Sequence, residues 1–290
     1  MVSLAEAPAK PKQPGRIRTF VRRNPTIVIG GTLLLIMVVL AAAAPWIAGN
    51  PQAMAPANRL KPPSAENWFG TDNLGRDVFA RAVTGGRISL IVGLCVATVS
   101  VAIGLTIGLI AGYYRRVDGF VMRIMDGLMA IPGILLAIAL VSLNRASIGV
   151  VVAAISIPEI PRIVRLVRSV VLTTREQPFV EAAVSGGSRS QKIIIRHILP
   201  STIPPLIVQA TYITASAILI EAGLSFLGAG VPPEIPTWGN MIAQSRLFLS
   251  RAPWTIFFPG AMLALVVLSV NLVGDGLRDR LDPRLARRMR

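Results

Sequence analysis

The sequence predicts an all-α polytopic membrane protein with six transmembrane helices. Of its 290 residues, 53% are hydrophobic and 15% are charged, and the mean hydropathy is +0.62. A soluble domain of this length would carry more charge, and here the apolar residues come in long blocks. Five uncharged stretches can each hold the roughly 20 residues that cross a bilayer as a helix. They cover residues 24–58, 88–114, 127–144, 197–220 and 252–274.

The first span follows a basic leader. Residues 1–26 form the expected N-terminal tail, and residues 27–48 form the first helix. Arginines before an apolar run that ends in four alanines could imitate a cleaved secretory signal. The leader is long, however, and the apolar run continues through Pro45 and Trp46, so we expect an uncleaved helix. Residues 49–87 then form an extracytoplasmic segment.

The fourth span is the least regular one. We place it at residues 146–170, although its uncharged part ends at Pro158. Pro158 and Pro161 are expected to bend this helix, because proline removes a helical hydrogen bond. Three arginines spaced by three residues put positive charge on one side, where the helix leaves the bilayer. They are Arg162, Arg165 and Arg168.

The distribution of Lys and Arg predicts the orientation, because these residues resist translocation when they flank a span. With both termini cytoplasmic, 22 of the 30 Lys and Arg residues lie inside and eight lie outside. The net charge of +16 therefore reflects topology and attraction to anionic lipid headgroups. Basic residues divided among loops do not favour a nucleic-acid partner. Residues 88–276 form the five-helix core, and residues 277–290 form a basic cytoplasmic tail.

Few residues could support catalysis or bind a metal or a nucleotide. The sequence has one histidine, His197, and one cysteine, Cys95, in different segments. This disfavours a catalytic dyad and a histidine metal site. The sequence also has no GxxxxGK[ST] phosphate-binding loop, so it predicts no ATP site of its own. We expect a non-catalytic protein that binds no cofactor and no metal.

A polar loop at about residues 175–200 interrupts the membrane pattern between the fourth and fifth spans. Pro178 suits the first turn of a helix, and Gly186 and Gly187 suit its end. The residues between them can form about two turns. Their alanines would let a partner surface approach closely, and their glutamate offers it one charge.

This loop resembles the EAA loop of bacterial ABC importer permeases. The likeness rests on Glu181-Ala182-Ala183, on Gly187 and on Leu199-Pro200. In those permeases the loop is a short cytoplasmic helix that docks onto the ATP-hydrolysing subunit. The contact residues that the resemblance implies are Phe179, Glu181, Ala182, Ala183, Gly187, Ser188, Leu199 and Pro200. The resemblance therefore implies a type I ABC importer permease fold with a MetI-like core.

Further blocks resemble the dipeptide, oligopeptide and nickel permeases, specifically their C-type subunit. They cover residues 69–93 and 221–239, and residues 271–283 resemble the C-terminal end of the same proteins. The segment 157–161, with its two prolines, departs from the family pattern. The signature residues of the first block are Gly70, Thr71, Asp72, Gly75, Arg76, Asp77, Arg81, Gly86, Arg87 and Ser89.

The charges of the first block could also be local features of an outer loop. Thr71 or Asp72 can cap a short helix, and Asp77 and Arg81 stand four residues apart, as in a helical ion pair. Exposed ion pairs of this kind contribute only a few tenths of a kcal/mol. The charges alone therefore predict no function.

Glu221 is the candidate for the solute path or outer gate, together with Ser225 and Phe226. A carboxylate at the edge of an apolar span is costly in lipid and tends to face protein or water. The alternative is a helix-end residue that is hydrogen-bonded to the glycine-rich turn after it. The sequence leaves these two interpretations equal.

The resemblance implies an assembly in the bacterial plasma membrane. A homologous B-type permease would enclose the path with this chain, and two ATPase subunits, or one fused chain, would bind ATP and Mg. An extracytoplasmic solute-binding protein would deliver the solute. Peptides are the expected cargo, and nickel chelates, glutathione and oligosaccharides are the alternatives within the family.

Two other function classes are weaker. An ion-coupled secondary transporter usually needs ionisable residues inside the membrane, and only Glu221 and Glu159 approach that depth here. An intramembrane enzyme needs facing catalytic groups, which one histidine and one cysteine in different places do not supply.

Overall fold

The computed structural model describes residues 21, 24–145 and 147–281. Most of the tails 1–26 and 277–290 therefore lies outside the described residues. Within these ranges the protein is all-α, apart from an isolated β-bridge between Thr71 and Asp77. The helices are α1 (Pro25–Ile47), α2 (Val78–Tyr113), α3 (Arg115–Ala130), α4 (Gly133–Ser142), α5 (Ile148–Arg175), α6 (Pro178–Ser185), α7 (Ser190–Phe226), α8 (Trp238–Ser245) and α9 (Trp254–Leu281). Short 3-10 turns cover Pro56–Asn58 and Arg246–Phe248.

Four of these helices are long and apolar enough to cross a membrane, namely α1, α2, α7 and α9. Helices α3 and α4 meet the same criterion only as a pair, and they are bent by 85° relative to each other. Helix α5 has 28 residues, enough to cross a bilayer of ordinary thickness. Its buried Glu159 and its arginines make it more polar than the others. It lies where the sequence predicts the fourth span.

Two span boundaries differ from those the sequence predicts. The second span begins at Val78 rather than at residue 88, because the Asp77 side chain caps the helix and accepts a hydrogen bond from Phe79 N at 2.8 Å. The segment 49–87 therefore ends in helix. The third span, expected over 127–144, is broken at Pro132. Proline disfavours helical backbone in the residue before it, and Ile131 is extended there.

Helices α2 and α5 pack closely along three glycines of α2. A Cβ atom placed on Gly104, Gly108 or Gly112 would lie 2.6–2.7 Å from the Cβ atom of a facing α5 residue. Those residues are Ile163, Val167 and Val171. Small residues at a spacing of four let two membrane helices approach until their backbones nearly touch. The three facing residues of α5 belong to the largest buried cluster of the described residues.

Helix α5 runs from Ile148 to Arg175 as one helix, with both Pro158 and Pro161 inside it. Each of the three arginines that the sequence places on one side has an acidic partner. Arg162 pairs with Glu159 at 3.2 Å, on the same helix. Arg165 pairs with Asp126 at 2.6 Å and Arg168 with Asp118 at 2.5 Å, both on α3. Two of the three arginines therefore join α5 to α3.

Candidate docking site

The loop between α5 and α7 is built around α6, a helix of two turns. Pro178 lies in its first turn, and the helix covers Pro178–Ser185, where the sequence predicts it. Val180 on α6 and Ile193 at the start of α7 are both buried. These two residues anchor the loop to the helical core, so α6 is held in place rather than suspended in solvent.

The two glycines after α6 end the helix. Gly186 N donates to Ala182 O at 2.9 Å, and Ser188 N donates to Ala183 O at 3.1 Å. Gly187 has φ of +73°, a left-handed conformation that glycine adopts without steric cost. This is the usual glycine termination of a helix, and it turns the chain toward α7.

The outward side of α6 forms an exposed surface, which we call the α6 surface and define by Phe179, Glu181, Ala182 and Val184. Phe179 and Val184 are 50% and 56% exposed, and Glu181 and Ala182 are also exposed. Two apolar side chains beside one carboxylate and one alanine suit a contact with another protein better than a contact with water.

The other predicted loop residues lie beside the α6 surface. Ala183, Ser188 and Leu199 are partly buried, and Pro200 is exposed. Helix α7 begins with one α-helical turn, Ser190–Ile193, which is followed by a wide π-turn over Ile194–Ile198. Its His197 ring lies 6.3 Å from the Phe179 ring, between centroids, so the start of α7 also contacts α6. Such π-turns are frequent at functional sites.

The signature block at the other end of the bundle forms a buried polar network instead of an exposed loop. Asp72 Oδ2 accepts a hydrogen bond from Arg76 Nε at 2.6 Å and lies 3.7 Å from Arg81 Nε. Both arginines also donate to Gln244 Oε1, at 2.9 Å and 3.4 Å. Arg81 is 1% exposed. The expected Asp77–Arg81 pair is wrong, because Asp77 caps α2 and Arg81 turns to Asp72.

The remaining signature residues make other contacts or allow particular backbone conformations. The Thr71 hydroxyl donates to Asn58 O, and Lys61 N donates back to it at 2.8 Å. Gly70 and Gly75 have φ of +72° and +73°, which a side chain would strain. Gly86 lets the Trp238 ring lie against α2. Arg87 is exposed.

Glu221 lies inside the protein and not on an open path. Its carboxylate is 0% exposed and accepts hydrogen bonds from the hydroxyls of Ser225 at 2.9 Å and Ser89 at 3.5 Å. Ser225 is also buried, and Phe226 is exposed beside the guanidinium of Arg246, 5.9 Å from its ring centroid. Glu221 therefore joins α7 to α2, and these two hydrogen-bond partners lie on the helices and not in the glycine-rich turn after α7.

We expect Asp72→Asn to destabilise the protein around this network. The substitution removes the charge that offsets two buried guanidinium groups, and breaking a buried pair in this way costs about 3–5 kcal/mol. Unfolding in a denaturing-detergent titration measures the effect. Asp77→Asn is the matched control, because asparagine caps a helix nearly as well as aspartate. Equal stability of the two variants would contradict a structural role for the network.

Comparison with known proteins gives consistent results over nearly the whole chain. The family model described as "Binding-protein-dependent transport system inner membrane component" matches residues 104–287. The model "N-terminal TM domain of oligopeptide transport permease C" matches residues 17–63.

Three curated relatives illustrate the likeness. The "probable peptide ABC transporter permease protein y4tQ" of Sinorhizobium fredii is 58% identical over 267 residues, which is 92% of each chain. The "dipeptide transport system permease protein DppC" of Alkalihalophilus pseudofirmus is 46% identical, over 91% of this chain and 88% of the relative. The "glutathione transport system permease protein GsiD" of Pectobacterium atrosepticum is 40% identical, over 92% and 90%.

Among solved structures, an inward-facing form of the MetNI methionine ABC transporter shares the fold. Its TM-score is 0.57 at 19% sequence identity, over 70% of this chain and 96% of the matched chain. The sequence identity is too low for this likeness to say more than that the helices are arranged in the same way.

Proposed function

Since this chain belongs to the family of binding-protein-dependent transport system inner membrane components, as a permease subunit of an ABC transporter, we propose that it imports peptides by docking onto ATPase subunits through the α6 surface. The observation that carries this proposal is the exposed apolar and acidic side of α6 on a firmly anchored loop. The chain itself is a non-catalytic membrane subunit.

The proposed assembly contains this chain, a homologous second permease, two ATPase subunits or one fused chain, and an extracytoplasmic binding protein. ATP and Mg bind to the ATPase subunits, and this chain binds no cofactor. The loop 175–200 and both termini face the cytoplasm, as the distribution of Lys and Arg supports. The segment between α1 and α2 and the turn containing α8 face outward and receive the binding protein.

The proposed mechanism has two states. ATP binding changes the separation of the ATPase subunits, and α6 moves with the subunit that holds it. Val180 and Ile193 tie α6 to α5 and α7, so the displacement passes into the helices as a rigid-body shift. The bundle then alternates between inward-open and outward-open packings, with ATP favouring one of them.

Peptides are the cargo that the relatives favour, because the names of two of the three relatives above include peptide or dipeptide transport. The glutathione permease among them carries a peptide-like solute by name. Nickel chelates and oligosaccharides remain the alternatives within the family, and selection among solutes falls mainly to the binding protein.

Reconstituted vesicles test this proposal. We expect an importer rebuilt from the four kinds of subunit to take up a labelled dipeptide when ATP is supplied, to stop without ATP, and to ignore an ionophore that collapses ion gradients. Uptake that follows the gradient and not ATP would indicate a secondary transporter. A binding protein that retains a metal chelate or sugar and no peptide would contradict the cargo.

A further inference from the structure

A second set of polar side chains lies halfway along the helices, between α5, α7 and α9. They line a cavity of about 300 Å³. A neighbouring cavity of about 490 Å³ shares Gln209 and Tyr212 with the first and reaches Arg278 and Leu281 near the end of α9. The polar residues of the first cavity are Glu159, Arg162, Gln209, Tyr212, Ser216 and Asn271. Together the two cavities form one groove, which we call the inner groove.

Lipid is a poor occupant for the inner groove. Glu159 lies near the middle of α5, and Gln209 and Tyr212 lie near the middle of α7. Charged and amide groups at that depth are costly against hydrocarbon and are found facing protein or water. The groove is open in this chain, so in the membrane water or another protein covers it.

The charged pair in the groove has a buried carboxylate and an exposed guanidinium. Glu159 is 2% exposed, and both of its carboxylate oxygens accept hydrogen bonds from Arg162 Nη1, at 3.2 Å and 3.3 Å. The Arg162 side chain is 57% exposed. Within the described ranges, its guanidinium makes no other hydrogen bond, so Glu159 holds it from one side and its remaining donors are open to the groove.

We propose that the solute path runs along the inner groove, and that Arg162 binds the carboxylate of the peptide as it passes. This inference rests on the proposed peptide cargo. A guanidinium recognises a carboxylate by charge-assisted hydrogen bonds, and every unmodified peptide has one at its C-terminus. The amides of Gln209 and Asn271 can both donate to and accept from the peptide main chain. These groups are common to all peptides, so the site selects peptides as a class and not by sequence.

The proposal moves the path away from Glu221. That carboxylate is buried and accepts hydrogen bonds from hydroxyls on α2 and α7, whereas Arg162 is exposed to open space. The two sites lie at different depths, because Glu221 is near the outer end of α7. Glu221 therefore holds the outer half together while Arg162 contacts the solute.

Cysteine labelling tests the position of the path regardless of the cargo. The two test variants, Gln209→Cys and Asn271→Cys, are made in an assembled importer that carries Cys95→Ser. We expect each new cysteine to react with a membrane-impermeant thiol reagent about tenfold faster than the native Cys95 reacts in the unmodified chain. A thiol in water ionises and reacts, whereas a thiol against lipid does not. Cys95 is an exposed residue of the apolar helix α2, which makes it the control. Labelling no faster than that of Cys95 would place the groove against lipid or packed protein and overturn the proposal.

Uptake measurements test the role of Arg162. We expect Arg162→Gln to lower peptide uptake by about tenfold, through loss of the charge-assisted bonds, and Arg162→Lys to restore part of it. Arg165→Gln, three residues away and paired at the surface with Asp126, should leave uptake near that of the unchanged importer. Equal uptake by Arg162→Gln and Arg165→Gln would overturn the role of Arg162. An unchanged importer that carries no peptide, with fast labelling in the groove, would contradict the cargo and leave the path in place.

Discussion

We expect Gly187→Val to release the ATPase subunits from this permease while leaving its membrane insertion intact. A β-branched residue at φ of +73° costs about 1–3 kcal/mol of backbone strain, and the turn after α6 would relax to another conformation. A Cβ atom at Gly187 would meet nothing within 4 Å, so the effect arises from the backbone and not from a clash. Co-purification of the ATPase subunits in mild detergent measures the loss.

Glu181→Lys should have the same outcome by a different cause, because it reverses the charge of the α6 surface without changing its shape. Two controls lie in the segment between α1 and α2. Gly49→Val is the matched glycine change, since no left-handed conformation and no neighbouring atom within 4 Å constrain Gly49. Glu66→Lys is the matched charge reversal at an exposed residue. ATPase subunits that co-purify normally with both loop variants would contradict docking through the α6 surface.

The second large effect is expected in the helix packing. Gly108→Leu should prevent α2 and α5 from packing, because even a Cβ atom there would lie 2.7 Å from Val167 Cβ and 3.0 Å from Val164 O. Overpacking of a tight core costs about 1–3 kcal/mol or more, and these contacts are with rigid parts of α5. A denaturing-detergent titration of the isolated chain should show a clear loss of stability.

Gly260→Leu is the matched control for that experiment. Gly260 lies within the apolar helix α9, and a Cβ atom there would meet nothing within 4 Å. We expect this variant to unfold at nearly the same detergent concentration as the unchanged chain. Similar losses for the two leucine variants would indicate a general sensitivity to bulk, and the close packing of α2 on α5 would lose its support.

Local signals predicted the loop well. Pro178 and the pair of glycines at 186 and 187 gave the bounds of α6, because helix starts and stops depend on a few adjacent residues. The break at Pro132 had a similar local signal, but it lies inside an uncharged stretch that hydropathy treats as one span. A local signal is therefore most useful where composition changes as well.

Contacts between residues that are far apart along the chain could not be predicted from local sequence patterns. Local spacing alone favours a pair of Asp77 with Arg81. In the fold Arg81 lies beside Asp72 and donates to Gln244, which is far from it along the chain. The two interpretations of Glu221 also could not be separated, because its burial depends on how α2 meets α7. The Gly104, Gly108 and Gly112 spacing was a readable signal for close helix packing, although it does not name the helix that faces it.

The inner groove combines a local signal in the sequence with contacts that only the tertiary fold creates. The Glu159 and Arg162 pair stands at a helical spacing of three residues and was readable as a local ion pair. That Arg162 keeps an exposed face, and that residues of α7 and α9 join it in one cavity, depends on the tertiary arrangement.

Site-specific photo-cross-linking at position 182 tests the central claim most directly. A photoreactive residue replaces Ala182, which is exposed on the α6 surface, in the assembled importer, and the same residue replaces Glu66 in a control. We predict a cross-linked product of this chain with an ATPase subunit from position 182 and none from position 66. An intact importer that gives no ATPase product from position 182 would contradict coupling through α6.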